Sequence, residues 1–314
     1  MIKIFYSCAA CSLCEINCIY EKKDFIRTVA WIRGKVFKNN PEKIPGNIMK
    51  AVNNIKKTGN IFGKTDKIVK TEKYSLKSSA QDFLFPGCLI NYVVPEILDN
   101  AVEIFKKNSF KLNIFEDEIC CGAPLFYAGD MEFAKSSALK IKNRIDLKNI
   151  KRLIVFCPSC YDFIKNWYSV LGVEIQAEII FYTEIIGSFY DNLRQDESEQ
   201  INGNGRGKNI MFLEPAELRN NSKIIESVKK ILLSLKGINN KDILLKNNFY
   251  TNCGGILNFN DKGKITDYLE EIKYISKIIN SDLFVTISPI CYYYMKQLED
   301  SVRVREFADY LLKR

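Results

Sequence analysis

The sequence predicts an α/β protein made of two duplicated α/β half-domains, preceded by a small α-helical segment. Three observations predict it. From Asp82 onward, short apolar runs alternate with amphipathic helical stretches, the pattern of strands feeding helices. Phe156-Cys157-Pro158-Ser159-Cys160-Tyr161 returns as Ile287-Ser288-Pro289-Ile290-Cys291-Tyr292 at an offset of 131, and Cys120-Cys121-Gly122 returns as Asn252-Cys253-Gly254 at an offset of 132. Ahead of both copies lies a basic stretch whose apolar residues follow helical spacing. A chain of 314 residues has room for this arrangement. The expected divisions are residues 1–80, 81–194 and 208–314.

The elements follow in order. Ile48, Ala51, Val52 and Ile55 share one helical face, after Pro45 and before Gly59 as start and stop signals. Gly59 to Lys77 is Lys-rich and aperiodic, and reads as a connector. Phe83-Leu84-Phe85 is a strand ending at Pro86-Gly87-Cys88. Pro95 opens a helix with Ile97, Leu98, Ala101, Val102 and Phe105 on one face. Lys111 to Phe115 reads as a strand leading into Cys120-Cys121-Gly122, and Asp130 begins a helix through Ile145. Leu153 to Phe156 is a buried-strand run that delivers Cys157, with a helix from about Tyr161. Gln195 to Lys208 reads as a linker. Its Gly203, Gly205 and Gly207 have no strand before them and no helix after, so they are not a phosphate loop.

Eleven cysteines are grouped rather than scattered. Cys8, Cys11, Cys14 and Cys18 have the C-x2-C-x2-C-x3-C spacing of a [4Fe–4S] ferredoxin run, in which a tight loop aims thiolates at one cubane. The same four would also suit structural zinc. Ile19 stands where such runs usually carry Pro, and the fourth cysteine of such a run can serve a different cluster, so the role of Cys18 is open. Cys120 and Cys121 are adjacent. Neighbours on an extended chain point to opposite sides, so both reach one target only if the backbone turns, which Gly122 permits. Cys88 lies upstream and Cys157 and Cys160 downstream, and all five fall at predicted strand ends, where α/β sheets place ligands. They read as one redox site better served by a multi-iron cluster than by a single ion. In the second copy Ala216, Asn252 and Ser288 stand where cysteines would be, leaving Cys253 and Cys291. That half reads as structural; the sharper reading is a pocket formed by Cys253, Cys291 and Glu217.

Composition excludes several classes. With no histidine there is no Cys–His or Ser–His catalysis, no mixed Cys/His zinc site and no Rieske centre. No secretory signal precedes the cysteines and no run approaches a membrane span, so a cytoplasmic location is expected, with membrane association through a partner. Glu21 to Ala80 holds fifteen Lys/Arg against five Asp/Glu, a net +10 in a chain of +9. That segment is a candidate dock for an acidic partner or an anionic membrane surface. Without interleaved aromatics or a groove-reading motif, nucleic acid is not expected.

The order Cys88, Cys120-Cys121-Gly122, Cys157-Pro158-Ser159-Cys160 resembles the CCG cysteine-rich domain found in the B and D subunits of heterodisulfide reductase and in the iron–sulfur subunits of glycolate oxidase and anaerobic glycerol-3-phosphate dehydrogenase. Phe85-Pro86-Gly87-Cys88, Pro95-Glu96-Ile97, Gly122-Ala123-Pro124 and Tyr127-Ala128-Gly129-Asp130 also match its wording, and the N-terminal run with Gly59-Asn60-Ile61-Phe62-Gly63 resembles the fused D-type architecture. The resemblance implies paired α/β halves and a noncubane [4Fe–4S] cluster held by all five cysteines, the site of disulfide chemistry in heterodisulfide reductase; the doubled Cys120 and Cys121 are the candidate catalytic residues. This chain departs from the paired pattern in its worn second set and its single ferredoxin run. The residues leave open whether the second cluster is noncubane or a plain cubane with a spare thiol.

The expected function is therefore an iron–sulfur oxidoreductase subunit. It would relay electrons from a [4Fe–4S] cluster at Cys8, Cys11, Cys14 and Cys18 to a second cluster at Cys88, Cys120, Cys121, Cys157 and Cys160. It would reduce a disulfide or serve a flavoprotein dehydrogenase or membrane electron-carrier subunit docked through residues 21–80. The alternative is a zinc- or cluster-holding scaffold of a respiratory complex.

Overall fold

The computed structural model describes residues 2–19, 24–74, 80–115, 119–189, 210–219, 221–235, 261–281, 283–298 and 302–312. Among the described residues the N-terminal segment holds four α-helices: α1 (Lys3–Ser7), α2 (Leu13–Ile16), α3 (Phe25–Asn39) and α4 (Gly46–Thr58). α4 starts and stops where the sequence signals put it. Pro45 caps its start, Gly59 closes it at φ +78°, and Ile48, Ala51, Val52 and Ile55 are its buried face. α3 buries Ile26, Val29, Ala30, Arg33 and Val36, an apolar stripe with one guanidinium in it.

The next sheet is wholly parallel, in the order β2-β1-β3-β4. Its strands are β1 (Asp82–Phe85), β2 (Asn113–Ile114), β3 (Arg152–Val155) and β4 (Glu178–Phe181). The crossovers are helical, as parallel pairing requires: α5 (Cys88–Tyr92), α6 (Glu96–Lys107), α7 (Ala123–Ala128), α8 (Met131–Leu147) and α9 (Pro158–Asp162), with α10 (Tyr182–Ser188) after β4. Leu84, Phe85, Leu153, Ile154 and Val155 are fully buried, so the central strands read as continuous apolar runs. All five residues assigned to the apolar face of α6 are buried, and the Asp130 carboxylate caps α8 by accepting from the Phe133 amide.

Two elements differ from expectation. The Lys111–Phe115 strand shortens to Asn113–Ile114, because it lies at the sheet edge and pairs only with β1. The helix expected from about Tyr161 starts at Pro158, since proline suits the first helical position and Cys157 caps it. It then widens into a π turn over Phe163–Trp167.

A second parallel sheet, β5-β6-β7, repeats the plan with β5 (Ile210–Leu213), β6 (Leu283–Thr286) and β7 (Arg303–Glu306). Its helices are α11 (Ser222–Ser234), α12 (Lys262–Ile279), α13 (Pro289–Met295) and α14 (Phe307–Leu312). β5, β6 and β7 occupy the places of β1, β3 and β4, as the repeat in the sequence requires. The linker over Gln195–Lys208 and the Asn252-Cys253-Gly254 copy lie outside the described residues.

Among the described residues no helix is long and apolar enough to cross a membrane. Part of the basic excess of residues 21–80 is partnered within the chain. Lys56 pairs with Asp130 at 2.6 Å, Lys73 with Asp99 at 2.5 Å, and Lys64 Nζ donates to the Tyr92 carbonyl at 3.0 Å.

Candidate metal centre

The five central cysteines converge because three adjacent parallel strands deliver them from one edge. β1 leads through Pro86-Gly87 to Cys88 at the first position of α5. β3 leads to Cys157, the cap of α9, with Cys160 one turn on. The chain beyond β2 brings in Cys120 and Cys121. All five line one narrow cavity, with Phe85, Leu89 and Pro124 among its apolar walls.

The turn at the doubled cysteine is fixed from three sides. The Cys120 amide donates to the Gly59 carbonyl at the end of α4, 2.8 Å away. Gly122 sits at φ +98°, and a Cβ there would come within 3.1 Å of the Ala134 carbonyl and 3.2 Å of the Phe163 ring. The buried Tyr168 hydroxyl donates to the Cys121 carbonyl at 2.8 Å. The Gly122 amide in turn points at Cys120 Sγ, 3.4 Å away.

The thiols touch one another. Hydrogen bonds from the Cys120 and Cys160 thiols, helped by the Ala123 amide, hold the Cys121 thiol well below its ordinary pKa despite burial. The Cys120 thiol is pushed up by donating to Cys121 and by burial. Cys160 is pushed up by its bonds to Cys121 and Cys157 and by burial. Cys121 is thus the sulfur this group favours as a thiolate, the form that ligates metal. Among the described residues no set of three Cys, Asp or Glu is arranged to hold a single metal ion. The Cys120, Cys121, Cys160 and Cys157 sulfurs are instead linked in a row with Cys88 on the same cavity, and a five-thiol donor set of this kind fits a multi-iron cluster.

Residues 83–165 match the family described as the cysteine-rich domain, CCG. That match takes in all five central cysteines.

Three relatives are similar at low identity. The B subunit of a fumarate reductase (CoM/CoB) from Methanothermobacter marburgensis is 22% identical over 213 residues, 68% of this chain and 41% of that protein. An uncharacterized iron–sulfur protein of Methanocaldococcus jannaschii is 22% identical, covering 93% of this chain and 57% of that protein. Another, from Methanococcus maripaludis, is 21% identical, covering 93% and 56%. The chain therefore spans about half the length of the curated relatives it matches.

The N-terminal cysteine loop is tied to residues 83–165 through Arg33, which bonds both the Cys8 and the Tyr127 carbonyls. Cys8 ends α1, and Cys14 lies in α2 and is exposed. Between them Ala10 and Ser12 take left-handed conformations at φ +53° and +60°, and the Ala10 amide points at Cys8 Sγ at 3.4 Å. Two non-glycine residues in that region make a tightly wound loop of the kind held at ligand sites. Burial, then Glu15, then the Cys8 and Cys11 sulfurs push the Cys14 thiol up. Cys18 lies on the wall of a cleft of about 790 Å³, with Ser12 on its own side and Tyr127, Asp162 and Trp167 of the CCG domain region opposite. Burial raises Asp162 to about 6 there, against hydrogen bonds from Asn166 and Trp167.

Sequence reasoning missed four contacts. Arg33 holds the Cys8 carbonyl, Tyr168 the Cys121 carbonyl, and Arg219 Nη1 donates to the Cys11 carbonyl at 3.2 Å. Ser159, between Cys157 and Cys160, donates to Glu217 Oε1 at 2.5 Å. Glu217 and Arg219 come from the second half, beside the Ala216 that replaces a cysteine. Glu217 thus turns toward the CCG domain, while Cys291 is buried in the first turn of α13 and Cys253 lies outside the described residues. A lone arginine on the buried stripe of α3 was the available signal for Arg33; the others carry none.

Proposed function

We propose that the chain is an iron–sulfur oxidoreductase subunit. In this reading Cys8, Cys11, Cys14 and Cys18 hold a [4Fe–4S] centre, and Cys88, Cys120, Cys121, Cys157 and Cys160 hold a second iron–sulfur cluster. The observation that carries the reading is the convergence of five thiols on one cavity of the CCG domain. The relatives named as iron–sulfur proteins, and as a subunit of a reductase, support it. Such clusters, when bound, supply one-electron transfer at potentials set by burial and hydrogen bonds. The chain's own part is to gather the thiolates, aim peptide N–H groups at the sulfurs and hold the two groups against each other.

Cys120 and Cys121 are assigned as the reacting end of the relay, where a disulfide is reduced or electrons pass to a flavoprotein or membrane partner subunit. Exposed Cys14 and the basic surface of residues 21–80 are the side on which a redox partner docks. The three domains over 1–80, 81–194 and 208–314 serve as donor module, reaction module and buttress.

The test is anaerobic purification and reconstitution with iron and sulfide. About eight irons per chain with two distinct paramagnetic species is the expected result. An iron-free chain carrying stoichiometric zinc would overturn the reading in favour of a structural scaffold.

A further inference from the structure

Arg33 is the one charged residue among the largest fully buried side chains, with no exposed surface. It projects from the apolar stripe of α3 into the junction between the N-terminal cysteine loop and the CCG domain. Its Nε and Nη2 donate to the Phe5 carbonyl at 3.0 and 2.6 Å, and Nη2 also to the Cys8 carbonyl at 2.6 Å. Its Nη1 donates to the Tyr127 carbonyl at 3.0 Å, on the helix that opens at Cys121-Gly122. The Tyr6 ring lies 5.3 Å below the guanidinium carbon.

These bonds satisfy the donors but not the charge. Among the described residues Arg33 makes no ion pair with a carboxylate, and the groups acting on it electrostatically are Cys8, Tyr6 and Tyr127. A guanidinium keeps its proton even when buried. Burying such a charge without a counter-charge is costly. Carbonyl dipoles offset part of the cost, yet a purely structural clamp on three carbonyls could be built from neutral amides. What the position lacks is an anion, and the loop it holds by the Cys8 carbonyl is the one that carries the N-terminal cysteines.

We propose that Arg33 is the internal counter-ion of the cluster held by the Cys8 loop and sets its reduction potential. This rests on the reading that Cys8, Cys11, Cys14 and Cys18 hold an iron–sulfur cluster. A cluster ligated by thiolates is anionic, and one electron from an external one-electron donor adds one negative charge. The fixed guanidinium stabilises the more negative form, so reduction needs no accompanying proton. The same side chain fixes the Cys8 and Tyr127 carbonyls in one fork, making it a positioning residue for both cysteine groups. Lysine would bring the charge without the fork, and glutamine some of the donors without the charge.

The experiment is a redox titration of the reconstituted full chain, followed by electron paramagnetic resonance, for the wild type, Arg33→Lys and Arg33→Gln. Arg33→Gln is expected to lower the reduced-to-oxidised ratio of the N-terminal signal at least tenfold at fixed ambient potential, about 59 mV for a one-electron couple. Arg33→Lys should stay near the wild type, and the CCG-site signal should move less. An Arg33→Gln chain with both signals and an unmoved N-terminal midpoint overturns the proposal. Should Arg33→Gln fail to fold, hydrogen exchange of the wild type against Cys11→Ala decides. Loss of the anion should speed exchange in residues 25–39 and 123–128, and unchanged protection there overturns it. A wild-type chain that shows no N-terminal signal after reconstitution removes the underlying reading, and the proposal with it.

Discussion

The Tyr182 hydroxyl donates a hydrogen bond to the carboxylate of Glu306, joining the helix after β4 to the end of β7. The Ala308 amide also donates to that carboxylate, at 2.8 Å. Elements of the two sheets thus meet through a fully buried acid. Burial raises Glu306 from 4.5 to about 7, with the Tyr182 and backbone bonds pulling the other way.

The sign of the pH effect follows. Between about 4.5 and 7 the folded chain keeps a proton on Glu306 that the unfolded chain has lost. The stabilisation from this proton is present at low pH and is lost as pH rises through the folded value. Glu306→Gln, which mimics the protonated acid, should flatten stability over that window and stabilise the chain by roughly 1–3 kcal/mol at pH 8. Anaerobic urea unfolding at pH 5 and pH 8 checks it; a larger loss at pH 8 than at pH 5 would contradict the assignment.

Cys121→Ala should abolish the spectrum of the CCG-domain site and leave that of the N-terminal site. Cys121 is the sulfur to which both Cys120 and Cys160 donate, so its removal breaks the row at its middle. Paired loss of both spectra would show that the nine cysteines do not divide as argued.

Gly129→Ala should destabilise the chain by about 3 kcal/mol or more. Gly129 stands at φ +102°, and a Cβ there would lie 2.4 Å from the Arg33 carbonyl. The obstacle is backbone, so no rotamer change relieves it. Calorimetry or urea unfolding gives the number, and an unchanged midpoint would mean that α3 does not press on α7 as described.

Tyr168→Phe should cost about 1–3 kcal/mol, because it leaves the buried Cys121 carbonyl without its donor. Iron content should stay at the wild-type level, since no sulfur is removed. A fall in iron would assign Tyr168 a part in holding the turn closed around the ligands.

Cys291→Ser should leave iron content unchanged if the second half is a buttress. A loss of iron would show that this half supplies a ligand.

The strand-end placement of the five cysteines was legible because parallel strands alternating with helices leave their carboxyl ends on one edge, and the spacing fixes which ends. The stop at Gly59 and the face of α6 were legible for the same local reason: periodicity and capping act within a few residues. The contacts of Arg33, Glu217 and Arg219 were not. Arg33 reaches Tyr127 across 94 positions and Arg219 reaches Cys11 across 208, and no local pattern encodes such a meeting. The edge strand β2 was overread because alternation alone does not reveal how many neighbours a strand has.

The bond from the Cys120 amide to the Gly59 carbonyl bears on inheritance as well as on shape. The loop with the doubled cysteine is finished by a segment that precedes the CCG domain in the chain. A gene rearrangement that moved residues 83–165 alone would carry every sulfur of the site and leave behind the acceptor that closes its turn. The turn that carries the doubled cysteine is therefore completed by the end of α4 as well as by its own residues.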